Sequence, residues 1–245
     1  LLFPRYPIKA AKATRCIAPV RQLCDETAEM TEHNFDHMRA AMIASQLRTT
    51  GTNDPRVLAA MGEVPRERFV PAERIPLAYA DALVPLKPGR DFNSPMALGR
   101  LLTEAAPKAG ERALAIGVAT GYAAAVLARL VGPCVAVEED AELAAAARRN
   151  LAGYEVDLRE APLTGGCPDE APYDLILIDG AVEFVPDALI AQLAERGRLA
   201  AGLLENGVTR LAIGRRAGEG FGMTAFADAA AAILPGFAKP RAFTF

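Results

Sequence analysis

The chain has 245 residues, 51% hydrophobic and 23% charged, and its 27 Lys and Arg against 30 Asp and Glu leave a net charge of -3. That is enough for one globular domain with a small appendage, too apolar for a disordered chain and too varied for a fibrous one. The charge balance excludes the clustered basic face that drives sequence-independent nucleic-acid binding. No apolar run reaches the roughly 18 residues a spanning helix needs, so the expected protein is soluble, with neither nucleic acid nor membrane as partner.

Residues 1–29 stand apart. Arg5, Lys9, Lys12, Arg15 and Arg21 all precede the first acid, without apolar periodicity. The chain starts at Leu1, and Met30 opens Met30-Thr31-Glu32. The expectation is translated upstream sequence or a disordered leader over 1–37, with a basic transit peptide as the runner-up and the folded domain at 38–245. His33 and His37 have the i, i+4 spacing of a metal pair, but no third ligand accompanies them, so a solvated helix start is preferred and no metal is expected.

From 37 to 47 the positions Met38, Ala41, Met42, Ile43 and Leu47 predict an amphipathic helix. Asp54-Pro55 predicts a second, with Asp54 as cap and Pro55 in the first turn. Pro65, Pro71 and Pro76 break the next stretch, and Asn93 is read as the cap of an apolar helix over 96–102. Strands then alternate with helices: strands at 113–116, 134–137, 156–158, 173–178 and 197–201, helices at 122–130, 142–151 and 186–193. That alternation means right-handed crossovers and a parallel sheet covered on both faces. The tail, 209–213 and 229–234, is read as an antiparallel closing pair. The expected fold is α/β, a doubly wound, mostly parallel sheet of about seven strands over 111–245, preceded by a helical region over 38–110.

With His33 and His37 the only histidines, a serine or cysteine triad in the main body has no imidazole to use. Cys16, Cys24, Cys134 and Cys167 form no Cys-x-x-Cys pair, which suits a reducing, cytoplasmic setting. The strongest chemical signal is Leu114-Ala115-Ile116-Gly117-Val118-Ala119-Thr120-Gly121-Tyr122, a strand turning through glycines into a helix whose free N–H groups face a ligand. The next strand ends in Glu138, where a carboxylate can take both hydroxyls of a ribose, and the strand at 173–178 ends in Asp179-Gly180 at the same edge. Each has a bland alternative: close helix packing for Gly117 and Gly121, a solvated acid for Glu138, a plain turn for Asp179-Gly180. The dinucleotide fingerprint fails because Ala119 and Tyr122 stand at its second and third glycine positions, so an adenosyl ligand without a pyrophosphate fits better.

Several segments resemble the protein-L-isoaspartate O-methyltransferases, a family of class I S-adenosylmethionine enzymes, over about 38–201. They are Ser45-Gln46-Leu47-Arg48, Asp54-Pro55-Arg56-Val57-Leu58-Ala59-Ala60-Met61, Val64-Pro65-Arg66-Glu67-Arg68-Phe69-Val70-Pro71, Leu77-Ala78-Tyr79-Ala80-Asp81, Thr120-Gly121-Tyr122-Ala123 and Ala171-Pro172-Tyr173-Asp174. The family's Gln-Thr-Ile-Ser-x-Pro segment corresponds to Arg90-Asp91-Phe92-Asn93-Ser94-Pro95, so its serine falls on Asn93. Ala115 stands where relatives carry an acid, Ala119 where they carry glycine, and Pro162 about where an aspartate would meet adenine.

The resemblance implies S-adenosylmethionine as cofactor and isoaspartyl-containing proteins or peptides as partners, with methylation of the isoaspartyl carboxylate as a repair reaction. It implies Gly117, Thr120 and Gly121 in the cofactor turn, Glu138 on the ribose, Asp179 at the pocket edge and Asn93 at the catalytic position. Arg90 is open between meeting the peptide carboxylate and being a solvated loop arginine. The carboxylate acceptor is already ionised at neutral pH, so the missing histidines are no obstacle. The competing functions are a degenerate relative that binds without turnover and a methyltransferase for a different small acceptor.

Overall fold

The computed structural model describes residues 35–218 and 220–239, and the expectations placed on the leader and on His33 lie outside the described residues. Helix α1 (35–41) passes into a π-helical turn at Met42–Leu47, so the helix read over 37–47 is present with its last turns widened. Helix α2 (Pro55–Glu63) begins as its sequence dictates, with Asp54 Oδ1 accepting from Arg56 N at 2.8 Å and Pro55 at the first position. Short 3₁₀ turns at Arg66–Phe69 and Ala72–Leu77 follow prolines. Strands β1 (Val84–Lys87) and β2 (Arg90–Phe92) then pair antiparallel as a hairpin. Pro85, Lys87, Arg90 and Asp91 interrupt the apolar run by which the other strands are read.

Helix α3 (Pro95–Ala105) is capped by Ser94, whose Oγ accepts from Ala97 N at 3.2 Å. This corrects the reading of Asn93 as cap. Asn93 lies one residue too early, and its side chain is committed elsewhere.

The sheet is built from β3 (Ala113–Ile116), β4 (Cys134–Glu138), β5 (Val156–Glu160), β6 (Tyr173–Val182), β7 (Leu193–Glu205), β8 (Val208–Ala217) and β9 (Gly220–Asp228). Helices α4 (Tyr122–Val131), α5 (Ala141–Asn150) and α6 (Asp187–Ala191) connect its parallel part. The strand order is β5-β4-β3-β6-β7-β8-β9. Pairing is parallel from β5 through β7, then antiparallel at β7–β8 and β8–β9.

Central β3 is buried along its whole length, as a strand covered on both faces must be. The alanines of α4, Ala123, Ala124 and Ala125, are fully buried, small enough to let the helix lie close on its neighbours. The order reverses at β3, which neighbours both β4 and β6. The crevice beyond the carboxyl ends of these three strands is therefore the place where open α/β sheets bind ligands.

The end of the chain departs from the sequence reading. The antiparallel pair is β8 with β9, and 229–234 is not a strand but an extended segment touching the sheet through one parallel bridge, Ala181↔Ile233. Strand β9 hides in Gly220-Phe221-Gly222-Met223, where glycines dilute the apolar pattern. Phe221 and Met223 pack against the core, their side chains covering Gly214 of β8: a Cβ there would lie 2.6 Å from Phe221 Cε2.

Candidate active site

The turn between β3 and α4 is held in left-handed backbone at Gly117 (φ +70), Ala119 (φ +49) and Gly121 (φ +104). Gly117 N donates to Val137 O at 2.9 Å and Gly121 N to Val118 O at 2.7 Å, which fixes the loop against β4. Ala119 keeps a conformation that favours glycine, at a cost of about 1 kcal/mol, and its N–H donates to Glu138 Oε2 at 2.7 Å. The Thr120 hydroxyl donates to Phe69 O, and Asn150 Nδ2 donates to Thr120 O at 3.0 Å. What Thr120 offers the turn is therefore main chain, its hydroxyl being used to anchor the loop.

Glu138, at the end of β4, is fully buried rather than solvated. Arg90 Nη1 donates to its Oε1 at 2.6 Å and Nη2 to its Oε2 at 2.7 Å, a bidentate pair between β2 and β4. The Oε1 also accepts from Glu139 N at 3.0 Å and Asp140 N at 3.1 Å. Arg90 is 5% exposed, so the reading of it as a solvated loop residue is corrected. The β1–β2 hairpin carries the guanidinium inward, and Glu138 is the anion that keeps it there.

Asp179 lies within β6, not in a plain turn, and is 7% exposed. Burial pushes its pKa up to about 6, against the pull of the Asn93 hydrogen bond and of Arg66 and Arg90, with Glu138 pushing the same way as burial. Asn93 Nδ2 donates to Asp179 Oδ1 at 3.1 Å, while Asn93 Oδ1 accepts from Ser94 N at 3.2 Å and from Ala232 N at 3.3 Å. Asn93 thus ties the end of the hairpin to β6 and to the C-terminal segment.

Arg66 was quoted above only as part of a motif, yet it is a fully buried cation behind this cluster. Its guanidinium carbon stacks 4.1 Å from the Phe92 ring centroid and 4.8 Å from that of Tyr122. Nε donates to Ala78 O at 2.6 Å and Nη2 donates to Asn93 O. In sequence it stands beside Glu67 and Arg68, and nothing local separates it from those charges.

The segment 229–237 closes the crevice like a strap. Ala181 N donates to Ala232 O at 2.7 Å, Leu234 N to Ala181 O at 3.0 Å and Glu183 N to Phe237 O at 3.2 Å. Leu234 sits on both site glycines: a Cβ at Gly117 would lie 2.7 Å from its Cδ1, and one at Gly180 2.7 Å from its Cγ. The Gly180 methyl would also collide with the Ala232 carbonyl oxygen. Gly180→Ala is therefore expected to cost about 1–3 kcal/mol by overpacking and to expose residues 229–239 to protease. A denaturation midpoint and digestion rate equal to the parent's would contradict this packing.

Beside the strap lies a groove of about 410 Å³ lined by Leu83, Gly89, Asp91, Ala231, Ile233 and Leu234, among others. Ile233 is 57% exposed at its edge. A second cavity, about 230 Å³, opens at the opposite, amino edge between Arg112, Cys134 and Tyr173. It holds no ready nucleophile, since burial pushes the Cys134 thiol up to about 12 and the Tyr173 hydroxyl donates to Cys167 O at 2.7 Å.

Parallel strands reversing at β3, a bare main-chain turn after it, and acids closing β4 and lying in β6 define the fold of the class I S-adenosylmethionine-dependent methyltransferases. The main-chain turn at Gly117 and the carboxylate of Glu138 on the adjoining strand are the groups that would hold an adenosyl ligand. The family model for protein-L-isoaspartate(D-aspartate) O-methyltransferase (PCMT) matches residues 38–225, and the chain belongs to that family.

A protein-L-isoaspartate O-methyltransferase of Methylorubrum populi is 42% identical over 189 residues, covering 76% of this chain and 89% of the relative. One from Koribacter versatilis is 42% identical over 164 residues, 66% of this chain and 74% of the relative. Among solved structures, a protein-L-isoaspartate O-methyltransferase superposes with a TM-score of 0.71 at 24% identity, covering 81% of this chain and 66% of its own length. A Plasmodium falciparum beta-aspartate methyltransferase (PCMT) in complex with S-adenosyl-L-homocysteine gives 0.65 at 18% identity, covering 80% and 97%. These two share the fold. Among the described residues no helix is long and apolar enough to cross a membrane.

Proposed function

We propose that this chain methylates the carboxylate of L-isoaspartyl residues in damaged proteins, with S-adenosylmethionine as donor. One observation carries the reading: the Gly117 turn, Glu138 and the Asn93–Asp179 pair meet at the carboxyl edge of three adjacent strands, with two buried guanidinium groups, Arg66 and Arg90, around them. Arg66 behind this cluster and Arg90 within it place positive charge near an anionic acceptor. When bound, the cofactor supplies a methyl carried on a positively charged sulfur, and a carboxylate acceptor needs no base to accept it.

In this reading Gly117, Thr120 and Gly121 present main chain to the cofactor, Glu138 takes the ribose and Asp179 lines the edge of the pocket. Asn93 stands beside the acceptor, and its amide, pinned by Asp179, Ser94 and Ala232, can orient a carboxylate but has no proton to exchange. The contribution of these residues is positioning, which alone can lower a barrier by ~7–11 kcal/mol when the reacting atoms are well aligned. Cytoplasmic placement belongs to the same proposal and is supported by the unpaired thiols of Cys134 and Cys167.

The test is calorimetric titration with S-adenosylmethionine, followed by transfer to an isoaspartyl peptide with its normal aspartyl isomer as control. Binding together with base-labile methylation of the isoaspartyl peptide alone is the expected result. Binding without any transfer would overturn the assigned activity.

A further inference from the structure

Glu138 is over-subscribed. A carboxylate offers about four lone-pair sites on two oxygens, and this one already accepts five donors: two from Arg90 and one each from Ala119 N, Glu139 N and Asp140 N. A ribose diol would add two more. The three main-chain donors are fixed by the turn and by the start of α5, so the group that can leave is the Arg90 side chain, carried on the β1–β2 hairpin. Once it leaves, a guanidinium that is 5% exposed has lost its counter-charge and must find another anion.

The surroundings point to where that anion comes from. Arg90 lies three residues before Asn93, and its neighbours Gly89 and Asp91 line the 410 Å³ groove beside the strap. Glu139 and Asp140 bear on the guanidinium electrostatically, yet Glu139 Oε2 accepts from Leu163 N at 3.3 Å and Asp140 is taken by Lys87 at 2.8 Å. Asp179 is held by Asn93. An incoming carboxylate would arrive with both oxygens free, and a guanidinium fork matches it directly.

We infer that Arg90 is a carboxylate-exchange residue: it pairs with Glu138 until the ribose claims that acid, then passes to the α-carboxylate of the isoaspartyl acceptor. This rests on the function proposed above. It makes cofactor and acceptor binding mutually reinforcing, because each ligand supplies what the other's arrival leaves unsatisfied, and such coupling is reciprocal.

The experiment measures the affinity of the whole protein for S-adenosylhomocysteine by calorimetry, alone and with saturating isoaspartyl peptide. The peptide is expected to tighten binding by about tenfold, and the same peptide with its isoaspartyl α-carboxyl converted to a carboxamide to have no effect. Arg90→Gln is expected to bind S-adenosylhomocysteine alone more tightly than the parent, since no ion pair must open, and to lose the coupling to the peptide.

Coupling that survives Arg90→Gln, coupling equal for carboxylate and carboxamide peptides, or two ligands that bind without coupling would each overturn the inference; the last is the result expected if Arg90 turned to Asp179 instead. The peptide comparison uses the unaltered protein, so equal or absent coupling there overturns the inference even if Arg90→Gln does not fold. A parent protein that neither binds S-adenosylhomocysteine nor transfers methyl would sink the function itself, and this inference with it.

Discussion

Glu138→Gln should destabilise the fold by about 3–5 kcal/mol, the cost of breaking a buried ion pair by removing one partner. Arg90 and Glu138 are 6% and 0% exposed as side chains, so water cannot replace the lost charge. The amide also has the wrong polarity. Both carboxylate oxygens of Glu138 face N–H donors, so whichever way the glutamine is turned its NH₂ meets either Arg90 and Ala119 N or Arg90, Glu139 N and Asp140 N. The measurement is a urea midpoint at constant slope for parent and variant. A loss under 1 kcal/mol would mean that Arg90 finds another anion, and would count against Glu138 as its anchor.

Asp179 should make the protein less stable as pH rises from acid to neutral. Its pKa is raised to about 6 in the folded chain from an ordinary value near 3.8. A carboxyl whose folded pKa is raised gives its full stability contribution below the unfolded pKa and loses it as pH climbs through the folded one. The window therefore runs from about pH 4 to just above pH 6, and a rise of about two units corresponds to about 3 kcal/mol. Asp179→Asn keeps an oxygen for Asn93 Nδ2 and removes the charge. The variant should exceed the parent in stability at pH 7.5 by up to about 3 kcal/mol and match it near pH 4. Other acids titrate in the same range, so the informative quantity is the difference between variant and parent at each pH. A difference that stays constant between pH 4 and pH 7.5 would refute the account. An acid kept in its least favourable state at neutral pH is the mark of a group retained for what it does rather than for holding the fold.

The elements and the edge that carries the site were legible because each rests on local pattern. Apolar runs of strand length, glycines where the backbone must turn left-handed, and acids that follow apolar runs all lie within a few residues of what they determine. Glu138 and Asp179 were found this way, and the structure brings both to the β3 switch point. What neutralises Glu138 was not legible, because Arg90 lies 48 positions away and meets it only once the hairpin packs on the sheet. Asn93 shows the same limit: its bond from Ala232 N spans 139 positions, and nothing near Asn93 foretells it. Read locally, an asparagine before Ser-Pro is a helix cap; the true cap, Ser94, is the next residue. Arg66 escaped because a charge in a proline-rich turn is ordinarily solvated, whereas this one is enclosed by Phe92 and Tyr122.

Leu234 packs on the Gly117 turn that the proposed cofactor would share. The strap is joined to β9 by a short run of chain, so it competes for the Gly117 turn as a tethered ligand, and short tethers hold such ligands at an effective concentration on the order of millimolar. A ligand that needs the space Leu234 fills would be exchanged against the strap rather than added beside it. Its measured dissociation constant is then the intrinsic one divided by the fraction of molecules whose strap is lifted. A saturation curve for such a ligand would report the difference between two filled states.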